Sequence, residues 1–198
     1  MGLRELKKEQ TREALSWAAI RLTVERGFDA VLVEDIAAAV GVSPRTFNNY
    51  FSGKAEAIAA RNLDRGKRIV AALRARPADE PLWQAIAEAV ATGFMTMPTG
   101  TFTESPHWHA GVKLMMQHPA LQGEALRANA IVDGAMAVVI AERTGTDPEQ
   151  MYPQLIARTV GAAVLVAMEQ WWRADSSASF EPFLREAIQQ LANGLTAP

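Results

Sequence analysis

Arg45, Thr46, Asn48 and Asn49 are the residues of this chain whose types and spacing point most directly to chemistry. Arginine and asparagine carry paired hydrogen-bonding groups that match base edges in the DNA major groove, Arg on guanine and Asn on adenine. The four interleave with Phe47, Tyr50 and Phe51, whose helical spacing makes a buried stripe and leaves the polar side chains on other faces, mostly outward. Ser43 can cap this short helix, and Pro44 suits its first turn, where a missing N–H costs nothing.

A helix this short must be positioned by its neighbours. Ile36, Ala37 and Val40 give the preceding segment one apolar face, so a first short helix opens at Val33. Gly41 permits the left-handed backbone that ends it. Two short helices about a glycine-containing turn, the second with an outward polar face, form the helix-turn-helix pattern, and residues 33–54 therefore read as a DNA-binding element.

The surrounding segments also read as helical. Leu15, Ala18, Ala19 and Leu22 mark a helix ending near Gly27, with Phe28 folding back onto it. After residue 53 a long helix runs to about Arg76, with Ile58, Ala59, Ile69, Val70 and Leu73 inward, until two prolines break it. Leu82, Ile86, Val90 and Phe94 mark the next, followed by a loop over residues 98–105. Ser105-Pro106 opens a helix to His118, and Pro119 separates it from one ending near Thr144. Asp147-Pro148 opens another, although Pro153 suggests that its regular part begins there, and it continues to Trp172. A serine-rich linker at 176–179 precedes a last amphipathic helix that Gly194 stops. No alternating strand pattern is present. The expected fold is all-α, with about nine helices.

The residues Gly27-Phe28, Val33-Glu34-Asp35-Ile36-Ala37, Gly41-Val42-Ser43, Thr46-Phe47, Tyr50-Phe51 and Lys54 closely resemble the TetR family of bacterial transcriptional regulators in order and spacing. The segment from Ser43 to Phe51 is similar to actinobacterial members. The resemblance covers about the first quarter of the chain, and the rest matches in architecture only. It implies a helix-turn-helix domain over 1–53 and a ligand-binding and dimerisation domain over 54–198. It also implies a homodimer on a palindromic double-stranded operator, released by a small-molecule effector. By resemblance, Arg45, Thr46, Asn48 and Asn49 contact base edges, while Ser43, Tyr50 and Lys54 contact phosphates. Lys54 opens a helix whose dipole disfavours a cation, which a phosphate there would offset. Two positions depart from the family pattern. Leu32 replaces the usual Thr or Ser before Val33, leaving the capping box incomplete, and Asn48 stands where an aromatic residue is common.

Charge and composition agree with a DNA partner. Residues 1–76 hold 14 of the 20 basic and 9 of the 22 acidic residues, a net +5 that leaves −7 for the remainder. A basic end on an acidic body is the electrostatic footprint of a DNA-binding chain. The absence of cysteine excludes disulfides and thiolate chemistry. The longest uninterrupted apolar run, at 160–168, falls short of the about 20 residues that span a bilayer, and no signal-peptide pattern opens the sequence. A cytoplasmic location without a membrane partner is expected.

Beyond residue 80 the chain is rich in Met and aromatic residues, which suit a pocket for an apolar or aromatic ligand. The candidates are Trp83, Phe94, Trp108 and Met115, with Met116, Met136, Met168 and Trp171; taken singly, each also reads as a core residue. The last two helices supply the expected dimer seam: Val160, Val164 and Met168 on one, Phe183, Leu184, Ile188 and Leu191 on the other. The first of these is apolar nearly all round, the pattern of a helix buried on more than one side. His107 and His109 diverge by about 200° on a helix, and His118 lies about 16 Å beyond His107, so no metal site or cofactor is expected. No catalytic constellation stands out. A helical carrier or enzyme using the first helices as scaffold is the rival reading, and a protein-interaction module the third.

Overall fold

A computed structural model of the chain describes residues 2–95, 113, 117–174 and 179–195. Eight helices and no strand run through the described residues: α1 (Leu3–Arg26), α2 (Val33–Val40), α3 (Pro44–Asn48), α4 (Lys54–Ala75), α5 (Leu82–Met95), α6 (Pro119–Thr144), α7 (Met151–Arg173) and α8 (Glu181–Ala192). The loop expected at 98–105, most of the helix expected up to His118, and residues 176–178 of the serine-rich linker lie outside the described residues.

The packing divides the chain into two compact units, residues 1–63 with 105–128, and residues 64–104 with 129–198. The expected border at residue 53 falls just before α4, whereas the first unit runs ten residues further. Its core explains the extension. Leu15, Ala18, Ala19 and Leu22 of α1, Ile36 and Ala37 of α2, and Phe47 and Phe51 are buried together with Ala57, Ile58 and Ala60 of α4 and Leu121 of α6. The buried Ser16 hydroxyl donates to the Ala57 carbonyl at 2.5 Å, fastening α1 to α4.

The second unit is built on Ile69, Val70 and Leu73 of α4, Ile86 and Val90 of α5, Val139 and Ile140 of α6, Ile156 and Val160 of α7, and Leu184 and Ile188 of α8. Burying each such side chain stabilises the fold by about 1.5–3 kcal/mol. Close approach is built in at Gly93, where an added Cβ would lie 2.2 Å from Ile69 Cγ1. The expected start of α7 is revised: Gln150 is its N-cap and Pro153 sits in its first turn, where no intrahelical N–H is required.

α7 also revises the reading of its apolar run. Taken as a window rather than an unbroken run, the helix is long and apolar enough to cross a membrane, and a third of that window is buried inside the protein. The residues expected at a dimer seam are the ones turned inward. Val160 is 2% exposed, and Leu184 and Ile188 are each 1% exposed, all three in the core. Val164, Phe183 and Leu191 pack against that core, and Met168 is half-buried. The outward face of α7 is formed by Leu155 (54% exposed), Ala162, Leu165 and Val166 (53% exposed). A helix apolar on every side has no period that tells which side its own core takes.

Candidate nucleic-acid interface

Leu32 is the N-cap of α2, and its backbone N–H donates to the Asp35 carboxylate at 2.9 Å. This is one half of a capping box. The other half requires a side-chain acceptor at the cap, which leucine lacks, so Leu32 stands exposed without a capping bond. Arg26 approaches the same Asp35 carboxylate at 3.9 Å. α2 ends at Gly41 with φ 75° and ψ 29°, the left-handed conformation expected there. The Val42 N–H then donates to the Ala37 carbonyl at 3.0 Å, which reverses the chain into α3.

Ser43 caps α3: its Oγ accepts from the Thr46 N–H at 3.1 Å and lies 2.9 Å from the Thr46 hydroxyl. The helix is only five residues long, with Asn49 as its C-cap. Phe47 is fully buried, and its ring lies 5.6 Å from that of Phe51, so the hydrophobic side of α3 is pinned to the core. Arg45, Asn48 and Asn49 stand exposed on the other side, while Thr46 is half-buried and shares its hydroxyl with the cap. Tyr50 lies beyond the helix, half-buried against the same core, with its ring 6.5 Å from Phe51. The structure thus sets three amide or guanidinium side chains on one short, rigidly anchored outward face.

Lys54, expected at a phosphate, also makes contacts within the first unit. Its ammonium donates to the carbonyls of Phe28, at 2.5 Å, and Val31, at 2.8 Å, and lies 4.3 Å from the centre of the Phe28 ring. The loop between α1 and α2 therefore supplies the negative ends that a cation at a helix N-terminus needs. His118 completes this corner: its ring stacks on Phe28 at 4.1 Å, and its Nε2 lies 3.3 Å from Asp29. Neither the loop carbonyls nor Asp29 had a sequence signal, because their partners lie 23 to 89 residues away along the chain. His107 and His109 lie outside the described residues.

Of the pocket candidates, Met136 is buried in the core of the second unit, and Trp83 packs against it. Trp108, Met115 and Met116 lie outside the described residues. Phe94 and Trp171 do come together, through a residue that the sequence had not singled out: Phe180 lies 4.9 Å from Phe94 and 5.6 Å from Trp171, ring centre to ring centre. The Arg65 guanidinium sits over the Phe94 ring at 4.5 Å. Met168, on α7, is half-buried nearby in sequence.

A short capped helix that buries its aromatic side and exposes arginine and asparagine defines a helix-turn-helix DNA-binding protein. Comparison with known proteins narrows the class. Residues 17–60 match the family model for bacterial regulatory proteins of the tetR family, and residues 80–196 match that for the MftR C-terminal domain. The chain is 32% identical to the HTH-type transcriptional regulator TcmR of Streptomyces glaucescens over 88% of its own length and 79% of that protein's. Among solved structures, the fatty acid degradation regulator FadR from Bacillus halodurans shares the fold with a TM-score of 0.63 and 14% identity, covering 95% of this chain and 97% of that one. SmeT, the repressor of a Stenotrophomonas maltophilia multidrug efflux pump, aligns in its triclosan complex with a TM-score of 0.60 and 17% identity, over 96% and 95% of the two chains. The chain belongs to the TetR family: it is a DNA-binding transcriptional regulator, not an enzyme.

Proposed function

We propose that the chain is a cytoplasmic homodimeric repressor that reads a palindromic operator and is released by a small apolar or aromatic effector. The observation that carries this reading is the exposure of Arg45, Asn48 and Asn49 on a helix whose opposite side, at Phe47, is fully buried. Arg45 and the two asparagines are the base-contacting residues; Thr46 contributes at the rim, where its hydroxyl is shared with the cap. Ser43 and Tyr50 contact phosphates. Lys54 acts on the backbone contacts indirectly, by holding the α1–α2 loop in place.

Family membership supports dimerisation, and so does the outward apolar face of α7, which a second copy would cover. One short helix reads few base pairs, and a twofold dimer doubles the site. The aromatic group of Phe94, Trp171 and Phe180 is the part of the second unit best suited to flat or apolar effectors. Binding there would lower operator affinity through a coupling of about 1–3 kcal/mol.

Selection from a random duplex library with the full chain at moderate salt tests this reading. Recovery of a palindrome is the expected result. Enrichment of no sequence, also in the presence of cell extract as a source of co-ligand, would overturn it.

A further inference from the structure

The aromatic group of the second unit is bordered by cations from α4. Arg65 and Arg68 stand three residues apart, which makes them neighbours on one flank of that helix. Ala72, four residues beyond Arg68, continues the flank and packs against the core of the second unit. Arg65 fixes its direction, because its guanidinium lies 4.5 Å from the centre of the Phe94 ring. Phe94 meets Phe180, Phe180 meets Trp171, and all three rings are half-buried.

Arg68 is the unusual member of this group. It is half-buried, and its Nε is buried with no hydrogen-bond partner among the described residues. Four carboxylates of the same unit are held by other arginines: Glu80 by Arg76, Glu88 and Glu181 by Arg185, and Glu142 by Arg74. A guanidinium stays charged at any physiological pH, so a buried donor on it that lacks an acceptor is a cost to the fold. An arriving anion would offset that cost. Carboxylates suit the position, since the planar guanidinium can meet both of their oxygens at once.

We infer that the effector of this chain is an aromatic acid, whose ring lies against Phe94, Phe180 and Trp171 and whose carboxylate is taken by Arg68. Arg65, over the Phe94 ring, adds a second positive charge at the same side. The inference rests on the reading of this aromatic group as the effector site and adds the sign of the effector's charge to it. An uncharged aromatic gains the ring contacts alone, and a cationic one is repelled.

The test is calorimetric titration of the full chain with benzoate, naphthoate and anthracene carboxylate, each beside its uncharged primary amide. The expected result is that the acids which bind do so about tenfold to a hundredfold more tightly than their amides. Arg68→Gln should remove this preference by weakening the acids and leave the amides unchanged, with helix content checked by circular dichroism. Arg68→Lys keeps the charge but not the paired donors, and should retain only part of the preference. Phe94→Leu should weaken acid and amide alike. Equal binding of acid and amide to the unmodified chain would overturn the inference and leave the aromatic site standing. A preference for acids that survives in full in both Arg68 variants would overturn it too. Failure of every probe to bind, or binding indifferent to Phe94→Leu, would remove the aromatic site and this inference with it.

Discussion

The two units of the molecule turn opposite chemistries outward. The first buries the aromatic side of a five-residue helix and exposes Arg45, Asn48 and Asn49, groups that exchange water for a polar partner at little desolvation cost. The second fills its core with one side of α7 and leaves Leu155, Ala162, Leu165 and Val166 in water on the other. An exposed apolar patch on a helix is stabilised by covering it, whereas an exposed polar face gives selectivity through matched hydrogen bonds. In the function proposed above, recognition belongs to the first unit and assembly to the second, and each substitution below addresses one side of that proposal.

The largest effect is expected in the second unit. Val166→Asp places a charge on the outward face of α7, where it leaves the unit's own core intact. The chain should sediment as a monomer, keep its melting temperature per protomer, and lose operator affinity by about a thousandfold or more, toward its affinity for random DNA. A variant that remains dimeric would move the interface off this face.

Single changes on α3 come next. Arg45→Ala and Asn49→Ala should each cost about 1–3 kcal/mol at one base pair of each half-site and relax the preference there. Competition with operators altered at single positions, at fixed salt, measures this. Equal losses on cognate and random duplexes would show that these side chains contact only the backbone.

Lys54→Met separates positioning from reading. It removes both bonds from the ammonium to the Phe28 and Val31 carbonyls and leaves two acceptors in a partly buried loop. A loss of about 1–3 kcal/mol from the stability of the first unit is expected, with all duplexes weakened alike. A changed base preference without a change in melting would contradict the placement described here.

Helix ends were more legible in the sequence than helix faces. Gly41 and Ser43 each act through chemistry completed within a few residues, a left-handed turn and a cap, so residue type alone locates them. The carbonyl partners of Lys54 were not legible in the sequence, because they lie 23 and 26 residues away, beyond any local pattern. Val160, Leu184 and Ile188 were expected at an interface and are core residues, since both roles select the same side chains. Phe180 escaped notice for a similar reason: its partners Phe94 and Trp171 meet it only through tertiary packing.

The smallest predicted effect concerns Asp133, on α6, whose carboxylate oxygen lies 3.4 Å from where a Cβ on Gly161 of α7 would sit. Burial pushes this carboxyl above its ordinary range, and the nearby Arg158 only partly opposes the shift. The folded state therefore disfavours the ionised form, a cost present at neutral pH that disappears as pH falls through the raised value. Asp133→Asn should raise the melting temperature near neutrality and have no such effect in acid. Melting curves at several pH values check this, and destabilisation near neutrality would reverse the assigned sign.

The division of labour is tested most directly by titrating the unmodified chain against the selected operator and against the same duplex with one half-site scrambled, at one salt concentration. Two α3 helices held in register by a paired α7 face predict that scrambling one half-site drops affinity close to the level of random DNA. Unchanged affinity for the scrambled duplex would show that a single head suffices, and would contradict the account.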